Sequence, residues 1–359
     1  METSSQSIDV RRLVIHSEPM PQWNALFRPE HSPWRGSDGC ATVPLGPGKT
    51  LWLFGDTWMK PDASPGRKGG LMISNSLALQ TWDANGPQLP TFHWTTDPTS
   101  GTVSALLPQG GRGFLWPLGG ILLEGRLFLF TVQVVFGPTG ISLTRAVLLD
   151  VLNPEETPKH WHIRQLEMPC FSSGPEGPTF FCGSPFLRDG SVYVYGVRVD
   201  WRPGGKRGSF LLARIPEEAF VREDFSSWRY CSAADWSPDF HEARSLFDGV
   251  ATEYSVSWLP SIQSYVAVYS GDNPPGEILG RFAPEPEGPW SEPVVLYRCR
   301  DENWNSRYFY YAGKAHPELA AADNELILTY ATNSEQPEDV LNDERLYWPR
   351  FVRVTIDKR

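Results

Sequence analysis

Five times along this chain an apolar strand, a tight turn and a second apolar strand follow one another, and that repeat limits the fold more than any other feature. The hairpins cover residues 38–58 (DGCATVPLGPGKTLWLFGDTW), 115–135, 182–200, 252–272 and 313–334. Their second strands begin at Leu51, Leu127, Val192, Tyr265 and Leu326, which are 61 to 76 residues apart. A period of that length holds about four strands with their loops, the content of one propeller blade. Segments such as LWLF, LFLF and VYVY are apolar on both faces and need a neighbouring sheet on each side. The rival, a β-sandwich, places turns roughly every 8–12 residues without this long period. The expectation is an all-β chain, a five-bladed β-propeller forming a single domain over residues 1–359. Outer strands are expected over 70–82, 145–152, 159–166, 209–216 and 277–297. The early segment RRLVIHS is expected to pair with the last strand, RFVRVTI, and close the ring. Helix is confined to a turn or two near Ile215 and around residues 335–343.

Composition agrees with short strands and tight turns: 15 Trp, 12 Tyr and 19 Phe are interleaved with 32 Gly and 33 Pro. The net charge of -10 and the absence of a basic stripe argue against a nucleic-acid partner and against anionic polymers. A neutral polysaccharide is compatible. No apolar run approaches the ~18 residues of a membrane span, and the first residues lack the apolar core of a signal peptide. A cytoplasmic location is expected for the chain as written, or an exported one if a leader has been removed. The oligomeric state is open. The five cysteines, Cys40, Cys170, Cys182, Cys231 and Cys299, form no CxxC pair, so a cysteine zinc site is not expected. Their odd number leaves one thiol free or paired between chains, and Cys170 and Cys182 are the pair spaced to bridge a loop.

The first hairpin yields a candidate site. Its turn centres on Pro47, and Asp38 and Asp56 each lie nine residues from that centre. Antiparallel register then sets them directly opposite, with backbones about 4.5–5.5 Å apart. Two carboxylates at that distance repel by roughly 3 kcal/mol at an effective dielectric near 20, or about two pKa units. One carboxyl would then keep its proton near neutrality while the other is ionised, the pair that glycoside cleavage uses. Calcium binding and turn capping by SDG and GDT are the competing explanations. The same construction pairs Glu253 with Gly271 or Asp272 in the fourth hairpin, and Lys314 and His316 open the fifth. Glu253, Asp272, Lys314 and His316 are therefore candidate substrate-binding residues at the same mouth. His316 also fits a hydrogen-bonded structural role, and Lys314 a neutralising one. Trp34, Trp58, Trp116 and Trp304 are candidates for stacking on sugar rings, whereas Trp52 and Trp258 lie within strands and read as core. No resident cofactor or metal is expected, with a Ca²⁺ or Na⁺ in the channel as the alternative.

WRGSDGCATVPLGPGKTLWLFGDTW resembles the opening motif of a family long known only as a domain of unknown function and now associated with endo-D-arabinanases, glycoside hydrolase family 183. FLWPLGGILLEGRLFLF, ATEYSVSWLPSIQSYVAVYSG, GPWSEP, YYAGKAHPELA and YWPRFVRVTI are similar to further stretches of that family, and together they run from Trp34 to Ile356. The resemblance implies a five-bladed propeller and endo-cleavage of α-linked D-arabinofuranose polymers with retention. It also implies that Asp38 and Asp56 are the catalytic pair. Asp56 is preferred as nucleophile and Asp38 as acid/base because Asp38, at the start of the axial strand, should be the less solvated. The departures are WPLGG in the second hairpin, where some relatives carry an acid, and the lack of a signal peptide in a family met mainly in secreted or cell-envelope proteins. The reading from another class is a non-catalytic propeller that binds glycan or protein.

Overall fold

The computed structural model describes residues 8–83, 86–109, 112–137, 140–174, 177–200, 208–272, 275–299 and 304–359. Nearly all of its regular structure is strand, and all five expected hairpins are present. They pair Trp34–Pro44 with Lys49–Met59, Phe114–Leu123 with Arg126–Gly137, and Gly177–Arg188 with Ser191–Val199. Tyr254–Leu259 pairs with Ser264–Asp272, and Tyr308–Ala315 with Glu325–Ser334. Each hairpin belongs to its own antiparallel sheet of four or more strands. The expected outer strands are found, including Ser76–Asp83, Gly140–Val151, Gly208–Pro216 and Val294–Arg298. The third sheet is larger, with seven strands: Phe171–Gly174 lies on the free side of Gly177–Arg188, and three short strands, Arg229–Cys231, Trp236–Ser237 and Phe247–Asp248, follow Gly208–Pro216. Short helices occupy Glu217–Val221 and Pro337–Asn342, and a third, Pro21–Leu26, was not anticipated.

The first strands of the hairpins contact one another in sequence and the fifth returns to the first, so the five inner strands form a closed ring. Leu13–Pro19 completes the last sheet by pairing antiparallel with Arg350–Lys358, from Leu13↔Lys358 to Pro19↔Val352.

The ring is held by side chains that alternate along the second strands. Leu51 and Leu53 pack with Leu127, Leu129, Val147 and Leu149 of the second sheet. Trp52 and Phe54 point the other way, to Ile327 and Phe351 of the last sheet. Phe128 and Phe130 turn from the first sheet toward Phe180 and Phe220. Val266 and Val268 meet Leu326 and Leu328, while Tyr269 and Ala267 join the third sheet's core. Each such side chain is fully or almost fully buried and contributes about 1.5–3 kcal/mol. Near the axis the inner strands approach closely: a methyl group on Gly120 would lie 2.8 Å from Val43 Cγ2 of the first hairpin.

No disulfide joins any of the five cysteines, four of which are buried, so the bridge between Cys170 and Cys182 is not formed. Both lie in the largest apolar cluster, where burial pushes their thiols up. Among the described residues no helix is long and apolar enough to cross a membrane.

Arg67 ties the loop after the first hairpin to the segment near the C-terminus. It is 2% exposed. Its guanidinium donates to the carbonyls of Arg35 (2.8 Å), Val340 (3.0 Å), Asp343 (3.3 Å) and Leu346 (2.6 Å). It also lies 5.0 Å from the Trp348 ring. Arg67→Leu strips four carbonyls of a charged donor. It should destabilise the fold by about 3 kcal/mol, read as a lower urea midpoint; an unchanged midpoint would remove the tie from the account.

Candidate active site

The first hairpin keeps the expected register from Pro44↔Thr50 to Ala41↔Leu53, then breaks. Gly39 pairs with Phe54 and Ser37 with Thr57, which leaves Asp38 facing both Gly55 and Asp56 across a bulge. The direct opposition expected from hairpin symmetry is thus shifted by one residue. Gly39 and Cys40 both take positive φ, at 78° and 64°. Gly55 is needed here, because a methyl group on it would lie 2.5 Å from Asp38 Oδ1. The Ser37 hydroxyl donates to the Asp56 carbonyl (2.8 Å) and lies 3.0 Å from Thr57 Oγ1, pinning the broken ladder.

Asp38 Oδ2 accepts hydrogen bonds from the hydroxyls of Tyr311 (2.8 Å) and Tyr347 (3.0 Å). Asp56 Oδ1 accepts from the Trp116 indole N–H at 2.9 Å. Lys314 donates to the Gly39 carbonyl (2.5 Å) and pairs with Glu253 at 3.1 Å. Burial first, then the charges of Asp56 and Glu253, push the Asp38 carboxyl up to about 8 against the pull of its two tyrosines. Burial raises Asp56 to about 6, opposed by the Trp116 hydrogen bond. Desolvation therefore outweighs the mutual repulsion from which the sequence argument began. The pair shares its protons, and near neutrality the proton stays on the Asp38 side.

Asp38, Trp116, Glu253 and Tyr311 line one cavity of about 370 Å³ with Leu118 and Phe180. Asp56 lines an adjoining hollow of about 330 Å³ with Leu71, Met72, Phe114 and Phe136. Phe136 and Met72 there are 61% and 44% exposed, so the hollow has an open apolar rim.

The other candidates separate. Glu253 and Lys314 lie beside the pair. The fourth hairpin runs Tyr254↔Tyr269, a register that carries Glu253 toward Ser270 rather than Gly271 or Asp272, and the Asp272 side chain lies outside the described part. His316 is completely buried between Thr42 (2.8 Å) and Thr329 (2.6 Å). Burial and Lys314 lower it to about 3, which keeps it neutral and structural. Trp34 is also fully buried, stacked on Phe92 at 4.2 Å with its N–H on Ser76, and has no surface to offer a sugar. Trp58 is half-buried against the Val340–Leu346–Tyr347 cluster. Trp304 stacks on Tyr310 at 5.5 Å beneath Arg350. Trp52 is core as expected, but Trp258 is 44% exposed. Tyr311 and Tyr347 were missed; the only hint was the run YFYYAG ahead of Lys314, and nothing local marked Tyr347. Among the described residues no group of three or more His, Cys, Asp or Glu side chains is arranged to hold a metal ion.

The fold and site define an all-β protein with a ring of sheets around a partly buried carboxyl pair. The chain belongs to the family described as domain of unknown function DUF5005, which matches residues 21–356. No curated protein matches it. Its fold is shared with a Bacteroides ovatus protein described only as a candidate hydrolase. That match has a TM-score of 0.73 and 17% identity and covers 98% of this chain and 96% of that one. Weaker likenesses include the GH43_1 enzyme of Xanthomonas citri solved with xylose, with a TM-score of 0.48 and 12% identity over 97% and 90% of the two chains. Another is the exo-β-1,3-galactanase of Phanerochaete chrysosporium solved with β-1,3-galactotriose, with a TM-score of 0.48 and 11% identity over 89% and 60%.

A carboxyl that holds its proton more tightly in the folded state weakens folding as pH rises from its ordinary value of 3.8 toward about 8. Asp38→Asn, which keeps an acceptor for a tyrosine, should therefore melt a few degrees above the parent at about pH 8, and the gap should close below about pH 4. A parent that melts higher at the alkaline end would contradict the electrostatic account.

Proposed function

We propose that this chain is a glycoside hydrolase built as one five-bladed β-propeller domain, each sheet a blade, that cleaves arabinofuranose-containing polysaccharide with retention. The observation that carries the reading is the Asp38–Asp56 pair, in which Asp38 holds its proton more tightly than Asp56, with Asp38 and Trp116 lining one cavity and Asp56 another. In the mechanism Asp56 attacks the anomeric carbon, and its oxygen forms a bond as the glycosidic C–O bond breaks. Asp38 gives its proton to the leaving oxygen. Asp38 then takes a proton from water, whose oxygen attacks the same carbon and releases Asp56. Tyr311 and Tyr347 hold the Asp38 carboxyl in place. The Lys314–Glu253 pair sets a fixed charge at the edge of the cavity. Each acid lines a hollow of its own, which gives room for more than one sugar unit and is compatible with endo-action. The choice of D-arabinan rests on the motif resemblance around Asp38 and Asp56.

Incubation with α-linked D-arabinan should release a ladder of oligosaccharides, and Asp38→Asn or Asp56→Asn should each lower that release by about a thousandfold or more. Folded variants that both keep full turnover would remove the pair from the mechanism. The dependence of kcat/KM on pH should be a bell, with its acid limb near 6 set by Asp56 and its alkaline limb near 8 set by Asp38. Trp116→Phe removes a hydrogen bond that favours ionised Asp56, so the acid limb should move up while the alkaline limb stays. A shift in the opposite direction would refute that role for Trp116.

A further inference from the structure

The channel has a second mouth. A hollow of about 670 Å³ opens where the inner strands run on past the acids, lined by Thr42, Gly120, Phe186, Ser257, Trp258 and Glu318 among others. Leu118 lines both this hollow and the acid-bearing cavity and so stands between them, and Lys314 lines the hollow while its ammonium reaches Glu253 of the acid-bearing cavity. Trp258 is the exposed aromatic here. Its ring is held edge-on against Tyr265 at 5.0 Å, and Tyr265 in turn lies 5.7 Å from Phe186. A large aromatic face kept at a cavity wall and braced by two further rings is a platform, not packing left over from the core.

Residues of the hollow's lining also carry unspent hydrogen-bonding capacity. Ser257 is 7% exposed and Tyr254 5% exposed. The Ser257 hydroxyl, the Tyr254 hydroxyl and Glu318 Oε1 are buried with no hydrogen-bond partner among the described residues. Each such group is unfavourable when left unpaired, and three around one cavity point to a partner that brings its own donors and acceptors. The charges restrict what that partner is. The two cations of the lining are engaged, Arg188 with Glu285 at 2.7 Å and Lys314 with Glu253 at 3.1 Å, and the remaining carboxyl is that of Glu318, which burial pushes up. An anion finds no waiting cation. A neutral polyhydroxylated ring, with a C–H face for Trp258 and hydroxyls for Ser257 and Glu318, satisfies each feature.

We infer that the mouth opposite the acid pair is a second, non-catalytic site for a neutral saccharide, with Trp258 as its platform and Ser257 and Glu318 as its polar contacts. Such a site would hold one stretch of a polymer while the acid pair works on another. The inference shares with the proposed function only the choice of a sugar as ligand.

The test is calorimetric titration of full-length Asp38→Asn protein, which removes turnover, with an α-linked D-arabinofuranose hexasaccharide and with xylohexaose. Two sites per chain are expected for at least one of these sugars. Adding Trp258→Ala should weaken one of the two roughly tenfold or more and leave the other untouched. Ser257→Ala, which removes only a hydroxyl, should weaken the same site and guards against misfolding of the larger truncation. A single site that ignores Trp258→Ala and Ser257→Ala, two sites that both ignore them, or no binding of either sugar at millimolar concentration overturns the inference. The hydrolase reading fails separately, if the unmodified chain releases nothing from arabinan while binding that depends on Trp258 persists.

Discussion

Two-sided burial of the second strand in each hairpin is the constraint on which the rest of the molecule depends. Successive side chains of a strand face opposite ways, so Leu51 and Leu53 commit the first sheet to one neighbour while Trp52 and Phe54 commit it to another. A sheet committed on both faces cannot end an assembly, and the arrangement is satisfied only when the last sheet returns to the first. Phe351 and Ile327 meet Trp52 and Phe54 at that closure, and Leu13–Pro19 pairs with the final strand beside it. The inner strands are drawn together as a consequence. Their spacing at the axis is small enough that Gly120 has no room for a side chain against Val43, and Leu118 lines both of the hollows left between them.

The carboxyl pair departs from that regularity. A continuous ladder would hold Asp38 and Asp56 rigidly opposed; the bulge at Gly39 and Gly55 lets one carboxyl lie over backbone instead. Burial then makes both carboxyls hard to ionise, and the two tyrosines on Asp38 and the indole on Asp56 recover part of that loss. Such a site is destabilising by itself and persists because the apolar faces around it stabilise the ring far more. Arg67 links the two effects. By holding the carbonyls near Leu346 it fixes the segment that delivers Tyr347 to Asp38.

The fold and the pair were legible in the chain because both rest on local rules. The period-2 pattern of LWLF and LFLF marked the sandwiched strands, and the symmetry of one turn placed Asp38 near Asp56 to within a single residue. Aromatic roles were much less legible. Trp34 and Trp258 exchanged their expected places, Trp34 being buried on Phe92 and Trp258 standing at an open mouth. An indole in a strand reads the same whether its face meets another sheet or a cavity. His316 likewise gave no local sign that two threonines, Thr42 and Thr329, would occupy both its nitrogens.

The sequence by itself determined the number of hairpins, their order, the faces each second strand must bury and the two acids that share a turn, because neighbours along the chain set alternation and register. Only the tertiary structure decided which residues from distant strands surround those acids, how strongly they hold their protons and where the channel opens. Tyr347 reaches Asp38 across 309 positions of sequence and Lys314 reaches Gly39 across 275. Such contacts arise from the closing of the ring, whose geometry is set by all five sheets at once and is written in no single segment of the chain.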